Sequence, residues 1–238
     1  MNDLRNKVAY ITGGSKGIGY GIAKVLLDSG MRVAITSRSL SAANEAAALL
    51  SSDPLKVLAL ESDVSSLASE TAAINATVAH FGQLDVVVAN AGVGIFANIE
   101  DLTEQDWKNT IETNLTGVFN SVKAGIKALK ESKGYIITIG SLAGTNFFEN
   151  GAAYNASKFG LVGFSQAIML DLRKYGVKVS TIMPGSVATY FNNHIPNDAD
   201  AWKIQPEDIG ELVADLLKMN PRSLPSKIEV RPSIPGVA

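Results

Sequence analysis

Three side chains in this 238-residue sequence have the types and spacing needed to move a proton onto or off an oxygen atom. Tyr154 and Lys158 lie four residues apart within a stretch, 152–173, of helical periodicity, which puts them on one helix face. A tyrosine titrates near 10, and lowering that by about 3 units takes about 4 kcal/mol. A lysine ammonium about 4 Å away supplies about that much at an effective dielectric of 20. The pair is therefore able to make a phenol that works as acid or base near neutral pH. Tyr-x-x-x-Lys alone equally describes a surface pair with its polar tips in water. Ser141, thirteen residues before Tyr154 at the end of an apolar run, adds a hydroxyl able to polarise a carbonyl.

Near the N-terminus, Thr12-Gly13-Gly14-Ser15-Lys16-Gly17-Ile18-Gly19 follows the apolar run 8–11 and precedes residues of helical spacing. Gly13, Gly17 and Gly19 permit a sharp bend and close approach of main chain to a ligand. A strand, a glycine turn and a helix N-terminus direct unpaired N–H groups and a helix dipole at one spot, which makes an anion site. The spacing G-x-x-x-G-x-G is a variant of the dinucleotide fingerprint. A tight structural loop is the alternative on turn chemistry alone.

These residues need a frame, and the hydropathy pattern provides one. Apolar runs at 8–11, 32–36, 56–60, 84–89, 134–139, 177–183 and 228–230 alternate with helical patterns near 18–29, 40–51, 67–81, 104–130, 153–174 and 206–218. Runs such as Val86-Val87-Val88 are apolar on both faces, as strands of a parallel sheet covered by helices must be. The pattern predicts an α/β fold: one doubly wound Rossmann domain over 1–238, with a seven-stranded parallel sheet and helices on both faces. Thr103 and Pro206 punctuate helix starts. The irregular stretch 186–205 is long enough to be a lid.

In such sheets ligands bind beyond the carboxyl ends of the strands. The residues found there are the glycine turn, Ser37-Arg38, Asp63-Val64, Asn90-Ala91-Gly92, Ser141, and Pro184-Gly185-Ser186-Val187-Ala188-Thr189. Small and polar types recur at every strand end, which packing alone does not explain. No Asp or Glu occurs between Asp28 and Glu45, where a carboxylate for a ribose 2′-OH would stand. Arg38 and Lys16 are placed instead to hold a 2′-phosphate, so the expected cofactor is NADP(H).

Composition narrows the partners. Charged residues are 18%, net charge is −2 and no dense Lys/Arg block occurs, which argues against nucleic acid. Cysteine is absent, which removes disulfides, thiol nucleophiles and cysteine metal sites. Residues 1–7 lack the apolar core of a signal peptide and no run approaches a membrane span, so a cytoplasmic protein away from membranes is expected. His80 and His194 have no partner pattern, and no metal site is expected.

Thr12-Gly13, Gly17-Ile18-Gly19, Asp63, Asn90-Ala91-Gly92, Asn114, Ser141, Tyr154, Lys158 and Pro184-Gly185 to Thr189 together resemble the short-chain dehydrogenase/reductase family across nearly the whole chain. The resemblance implies an oxidoreductase that reduces a carbonyl with NADPH. Tyr154 would be the general acid and Lys158 would lower its pKa and hold the nicotinamide ribose. Ser141 would orient the substrate carbonyl, and Asn114 would fix a water in the proton relay. Asp63 and Val64 would meet the adenine, Asn90 and Ala91 its ribose, and Thr189 the pyrophosphate or carboxamide. Gly13, Ser15, Lys16, Gly17, Ile18, Gly19, Ser37, Arg38, Gly92, Pro184, Gly185 and Val187 would complete the cofactor contacts.

The C-terminal part looks like the branch of small ketoreductases, 3-oxoacyl reductases and 3-hydroxy acid dehydrogenases, although Arg231-Pro232 replaces the Asp-Gly-Gly common there. Members commonly form tetramers through their fifth and sixth helices, so a homo-oligomer is implied. Phe147, Phe148, Tyr190, Phe191 and Trp202 give the presumed pocket an apolar, aromatic character, which suits a medium-sized apolar carbonyl compound or serves to pack the lid. The stripe Lys123, Lys127, Lys130 is either a solvated face or a surface for an acidic carrier protein. A cofactor-binding sensor or scaffold without turnover is the other functional class, and occupation of all four proposed catalytic positions weighs against it.

Overall fold

The strands lie parallel in one seven-stranded sheet, described for residues 3–234 in a computed structural model. They are β1 (Val8–Ile11), β2 (Arg32–Ser37), β3 (Val57–Glu61), β4 (Val86–Ala89), β5 (Tyr135–Ile139), β6 (Lys178–Pro184) and β7 (Lys227–Val230). Their spatial order is β3-β2-β1-β4-β5-β6-β7, so the direction of winding reverses between β1 and β4. The helices are α1 (Gly17–Asp28), α2 (Leu40–Leu50), α3 (Leu67–Phe81), α4 (Glu104–Ile111), α5 (Gly117–Ser132), α6 (Ala152–Leu172) and α7 (Pro206–Lys218).

Alternation along each strand feeds two cores. Ile11, Ile35, Val88 and Ile137 pack with Ile22 and Leu26 of α1 and Ile209 and Val213 of α7. Tyr10, Ala34, Val87 and Ile136 point the other way, to Ile74 of α3, Val118 and Leu129 of α5, and Leu161 of α6. The expected doubly wound architecture is the one observed. Capping agrees with the residue types: Thr103 Oγ1 accepts from Asp106 N at 3.1 Å, and Gln205 opens α7 with a capping box to Asp208 and Pro206 in the first turn.

The sequence pattern differs from the structure in two places. The expected helix 104–130 is interrupted at Glu112–Thr116 by five residues of π-helix before α5 resumes and runs to Ser132. The segment between β6 and α7 is more ordered than its composition suggests. It holds two 3₁₀ turns, Phe191–Asn193 and Asp198–Asp200, and its ends are joined by a parallel bridge between Val187 and Ile204.

The N-terminus of α1 reaches the sheet's carboxyl edge because α7 braces it from outside at two glycines. A β-carbon on Gly21 would lie 2.5 Å from the Pro206 carbonyl carbon, and one on Gly210 would lie 2.9 Å from Gly21 O. Gly21→Ala is therefore expected to destabilise the protein by about 1–3 kcal/mol, the usual range for overpacking, measured as a lower urea midpoint at unchanged m-value.

Candidate active site

The loop after β1 is shaped by its glycines. Gly13 (φ +63°) and Gly17 (φ +59°) take left-handed conformations, and a β-carbon on Gly19 would lie 2.5 Å from Gly13 O. α1 has no acidic residue in its first turn, and Lys16 at its N-cap makes no side-chain cap. Its first N–H groups thus face outward as an anion site. The turn is stapled to the end of β4. Thr12 Oγ1 accepts from the main-chain N–H of Asn90 and of Ala91, both at 3.0 Å, and Asn90 Nδ2 donates to Thr12 O at 2.9 Å and Gly13 O at 3.2 Å.

A cleft of about 1320 Å³ runs along the carboxyl ends of the strands. Every sequence-predicted site residue lines it except Gly19 and Asn114, which are buried behind its wall. At one end stand Ser37, Arg38, Asp63 and Val64. Ser37 Oγ accepts from Ser39 N, Ser39 caps α2, and that helix also has no acid in its first turn. Arg38 is exposed and makes no ion pair among the described residues, whereas Lys16 Nζ stands 5.7 Å above the Tyr190 ring. The two cations expected to act together thus have different surroundings, and Lys16 leans toward the segment after β6. Asp63 Oδ1 is occupied by the Ser65 main-chain N–H and hydroxyl.

At the other end, Ser141, Tyr154 and Lys158 come together in the cleft. Ser141 Oγ accepts from Ala143 N at 3.1 Å, and its hydroxyl shares the cleft with the Tyr154 phenol. Lys158 Nζ donates to Ile139 O at 3.0 Å and lies 5.7 Å from the Tyr154 ring centroid. Burial raises the Tyr154 pKa, and the Ser141 hydroxyl opposes the rise. Burial lowers Lys158 to about 8. The lowering of Tyr154 by a nearby ammonium, expected from the sequence, is not what the polypeptide alone produces, because desolvation outweighs the other influences.

Asn114 sits on the π segment with its side chain spent on protein groups. Its Oδ1 accepts from Val93 N at 2.8 Å, and its Nδ2 donates to Val93 O at 2.9 Å and Ser157 Oγ at 3.1 Å. Ser157 in turn donates to Tyr154 O at 2.7 Å. Asn155 Nδ2 donates to Ala143 O and Asn146 O, both at 2.7 Å, and so pins the Ser141 loop to α6. Ser157 and Asn155 were not singled out from the sequence. The available signal was polarity at two positions beside Tyr154 in a helix whose neighbouring face is buried.

The family model for short chain dehydrogenases matches residues 7–200. The chain belongs to the short-chain dehydrogenase family. It is 39% identical over 192 residues to a trans-4-hydroxycyclohexanecarboxylate dehydrogenase of Sinomonas cyclohexanicum, covering 78% of this chain and 74% of that one. Among solved structures it resembles an alcohol dehydrogenase of the archaeon Thermococcus sibiricus complexed with 5-hydroxy-NADP, at TM-score 0.90 and 30% identity over 96% of this chain and 97% of that chain. It also resembles a 3-ketoacyl-(acyl-carrier-protein) reductase of Brucella melitensis complexed with NADH, at TM-score 0.88 and 26% identity over 97% of this chain and 98% of that chain. The family supports an oxidoreductase acting on alcohol or ketone groups.

The buried lysine gives this family member a pH signature. With Lys158 at about 8 folded and 10.5 as its reference value, the unfolded chain binds the extra proton between those limits, so stability rises with pH there. Relative to Lys158→Met, the wild type is expected to gain about 3 kcal/mol of unfolding free energy between pH 8 and 10.5, measured by urea titration of both proteins across that range.

Proposed function

We propose that this dehydrogenase reduces a ketone to an alcohol with NADPH, Tyr154 serving as the general acid. The observation that carries the reading is the convergence of Ser141, Tyr154 and Lys158 in the same cleft as the anion-ready glycine turn, with the Lys158 ammonium 5.7 Å from the Tyr154 ring centroid. The turn fits a dinucleotide on stereochemical grounds, since β-carbons at Gly13 and Gly19 would crowd Ala91, Asn90 and the Gly13 carbonyl and open the tight bend that presents its N–H groups. Two acid-free helix N-termini and the unpaired Arg38 suit two anionic groups, a pyrophosphate at α1 and a 2′-phosphate at the end of β2.

NADPH, when bound, supplies the hydride; the protein supplies position and the proton. Ser141 donates to the substrate oxygen and orients it. Tyr154, kept protonated by burial, gives that oxygen its proton as negative charge develops there. Lys158, with Ile139 O as its anchor, holds the cofactor's ribose and stabilises the phenolate left behind. Asn114's side chain is fully engaged, so a relay water would be held by the main chain of the π segment. A change from four-residue to five-residue spacing, as in Glu112–Thr116, can free a carbonyl from its usual in-helix donor.

The segment 186–205 acts as a lid. Thr189 packs against Gly17, Tyr190 lies under Lys16, and Phe191 reaches Tyr154. Exposed Phe119, Phe159 and Leu170 on α5 and α6 support assembly of identical subunits through those helices. Lys123, Lys127 and Lys130 are exposed as well, and Lys130 is engaged with the Tyr175 ring at 3.8 Å, which favours a solvated face over a carrier-protein dock.

Tyr154→Phe is expected to cut kcat for NADPH-dependent ketone reduction by about a hundredfold or more while the Kd for NADPH, read by fluorescence titration, stays unchanged. Wild-type turnover in that variant would overturn the assignment. Arg38→Ala is expected to raise KM for NADPH about 10- to 100-fold, the worth of a charge-assisted phosphate contact, and to leave KM for NADH in place.

A further inference from the structure

Resting on the ketone-reductase reading, we propose that the substrate end of the cleft is built for a neutral ketone carrying a phenyl-sized ring close to its carbonyl. The lid's own Phe191 ring occupies the place of that substrate ring in the structure.

Three phenylalanines surround the Tyr154 ring. Phe96 lies at 5.4 Å and 73°, Phe191 at 5.7 Å and 58°, and Phe148 at 6.3 Å and 54°. Phe96 also meets Phe148 at 5.6 Å and Phe191 at 6.3 Å, both near edge-to-face. These separations are those at which aromatic rings attract one another. The phenylalanines are not core residues: Phe96 is 37% exposed, Phe191 38% and Phe148 45%, whereas Tyr154 is 9% exposed. The cage therefore keeps apolar surface available beside a buried reacting group.

Its shape depends on two glycines. A β-carbon on Gly94 would lie 2.4 Å from the tip of the Phe191 ring and 3.1 Å from Phe96, and one on Gly151 would lie 2.7 Å from Phe148. A flat ring thus fits between Gly94, Phe96 and Tyr154, and the ring found there belongs to the lid. Phe191 begins a 3₁₀ turn whose next residue, Asn192, has φ 55°, and it is held locally by a 3.3 Å bond from its N–H to Thr189 Oγ1. Nothing in those contacts ties its ring to the cage except packing, so a substrate ring of similar size that displaces it recovers the same contacts.

Charge supports the word neutral. Lys16 and Lys158 apart, the basic side chains around this end of the cleft are already matched within the protein. His194 and Lys203 share the buried carboxylate of Asp200 at 2.5 and 2.6 Å, and Arg231 pairs with Glu229 at 2.9 Å. Lys16, on the glycine turn, and Lys158, beside Tyr154, are the cleft cations near here without a carboxylate partner among the described residues, and the proposed cofactor would engage both, so a carboxylate on the substrate would gain no cation of its own.

The test compares phenylacetone with 2-butanone, two methyl ketones in which a phenyl group stands in place of a methyl group, using NADPH oxidation. Wild type is expected to prefer phenylacetone in kcat/KM by about 30-fold or more, from the added apolar burial. Phe96→Leu is expected to reduce that ratio severalfold. Phe191→Ala is expected to keep the ratio and lower KM for phenylacetone, because it removes the competing ring. Toluene, which has the ring and no carbonyl, is expected to inhibit wild type competitively against the ketone and to bind Phe191→Ala more tightly. A para-carboxylate on phenylacetone is expected to bring no gain. Equal kcat/KM for the two ketones, loss of the preference in Phe191→Ala, or a gain from the carboxylate would each overturn this inference while leaving the reductase reading intact. Absence of NADPH oxidation with either ketone and with every other carbonyl tried would overturn the reductase reading and this inference with it.

Discussion

The site depends on how the carboxyl ends of β1 and β4 are joined. These neighbours flank the reversal of strand order, where helices leave toward opposite faces and open a crevice. A crevice of this kind leaves main-chain groups on both strands without sheet partners. Thr12 and Asn90 resolve this with four hydrogen bonds across the gap, two onto Thr12 Oγ1 and two from Asn90 Nδ2. The bonds pull Gly13 so close to Asn90 and Ala91 that a β-carbon there would lie 3.1 Å from Ala91 Cα. The cradle for an anion and the opening of the cleft are thus one constraint. Asn90, placed by resemblance against a ribose, holds the turn itself.

A second network does the same for the reacting end. Val93 follows Asn90-Ala91-Gly92, and Asn114 grips both its N–H and its C=O while reaching Ser157, which holds the carbonyl of Tyr154. The loop after β4, the π segment and α6 therefore share one fully buried amide. A regular α-helix through 112–116 would turn residue 114 by a different angle and lift its side chain off Val93. The π register costs helix regularity and gains a fixed distance between the two halves of the cleft.

Most of the frame was legible because its signals are local. Both-face apolar runs mark buried parallel strands, and every strand expected from them is present with ends moved by a residue or two. Tyr154, Lys158 and Ser141 were legible through helix spacing and strand-end position. The interruption at Glu112–Thr116 was not, because a π segment preserves helical composition and shifts the period by too little to see in five residues. Phe96 was missed for a different reason. It lies in an irregular stretch, and only the fold brings it to Tyr154 across 58 positions of sequence. The direction of Lys16 was likewise undetermined, since a long flexible cation takes whichever partner tertiary structure offers, here the Tyr190 face.

The same burial that organises the cleft sets its proton balance. Taking Tyr154 and Lys158 out of water favours the neutral form of each, raising the phenol and lowering the ammonium. A protonated phenol is the form the proposed reduction needs at neutral pH, and the Ser141 hydroxyl tempers the rise without reversing it. Lys158 at about 8 remains mostly charged at pH 7, so in the proposed reaction a cation would stand beside the phenolate. In the oxidative direction the phenol must first be ionised against its burial. With no other charge at work, burial in the polypeptide therefore favours the protonated phenol.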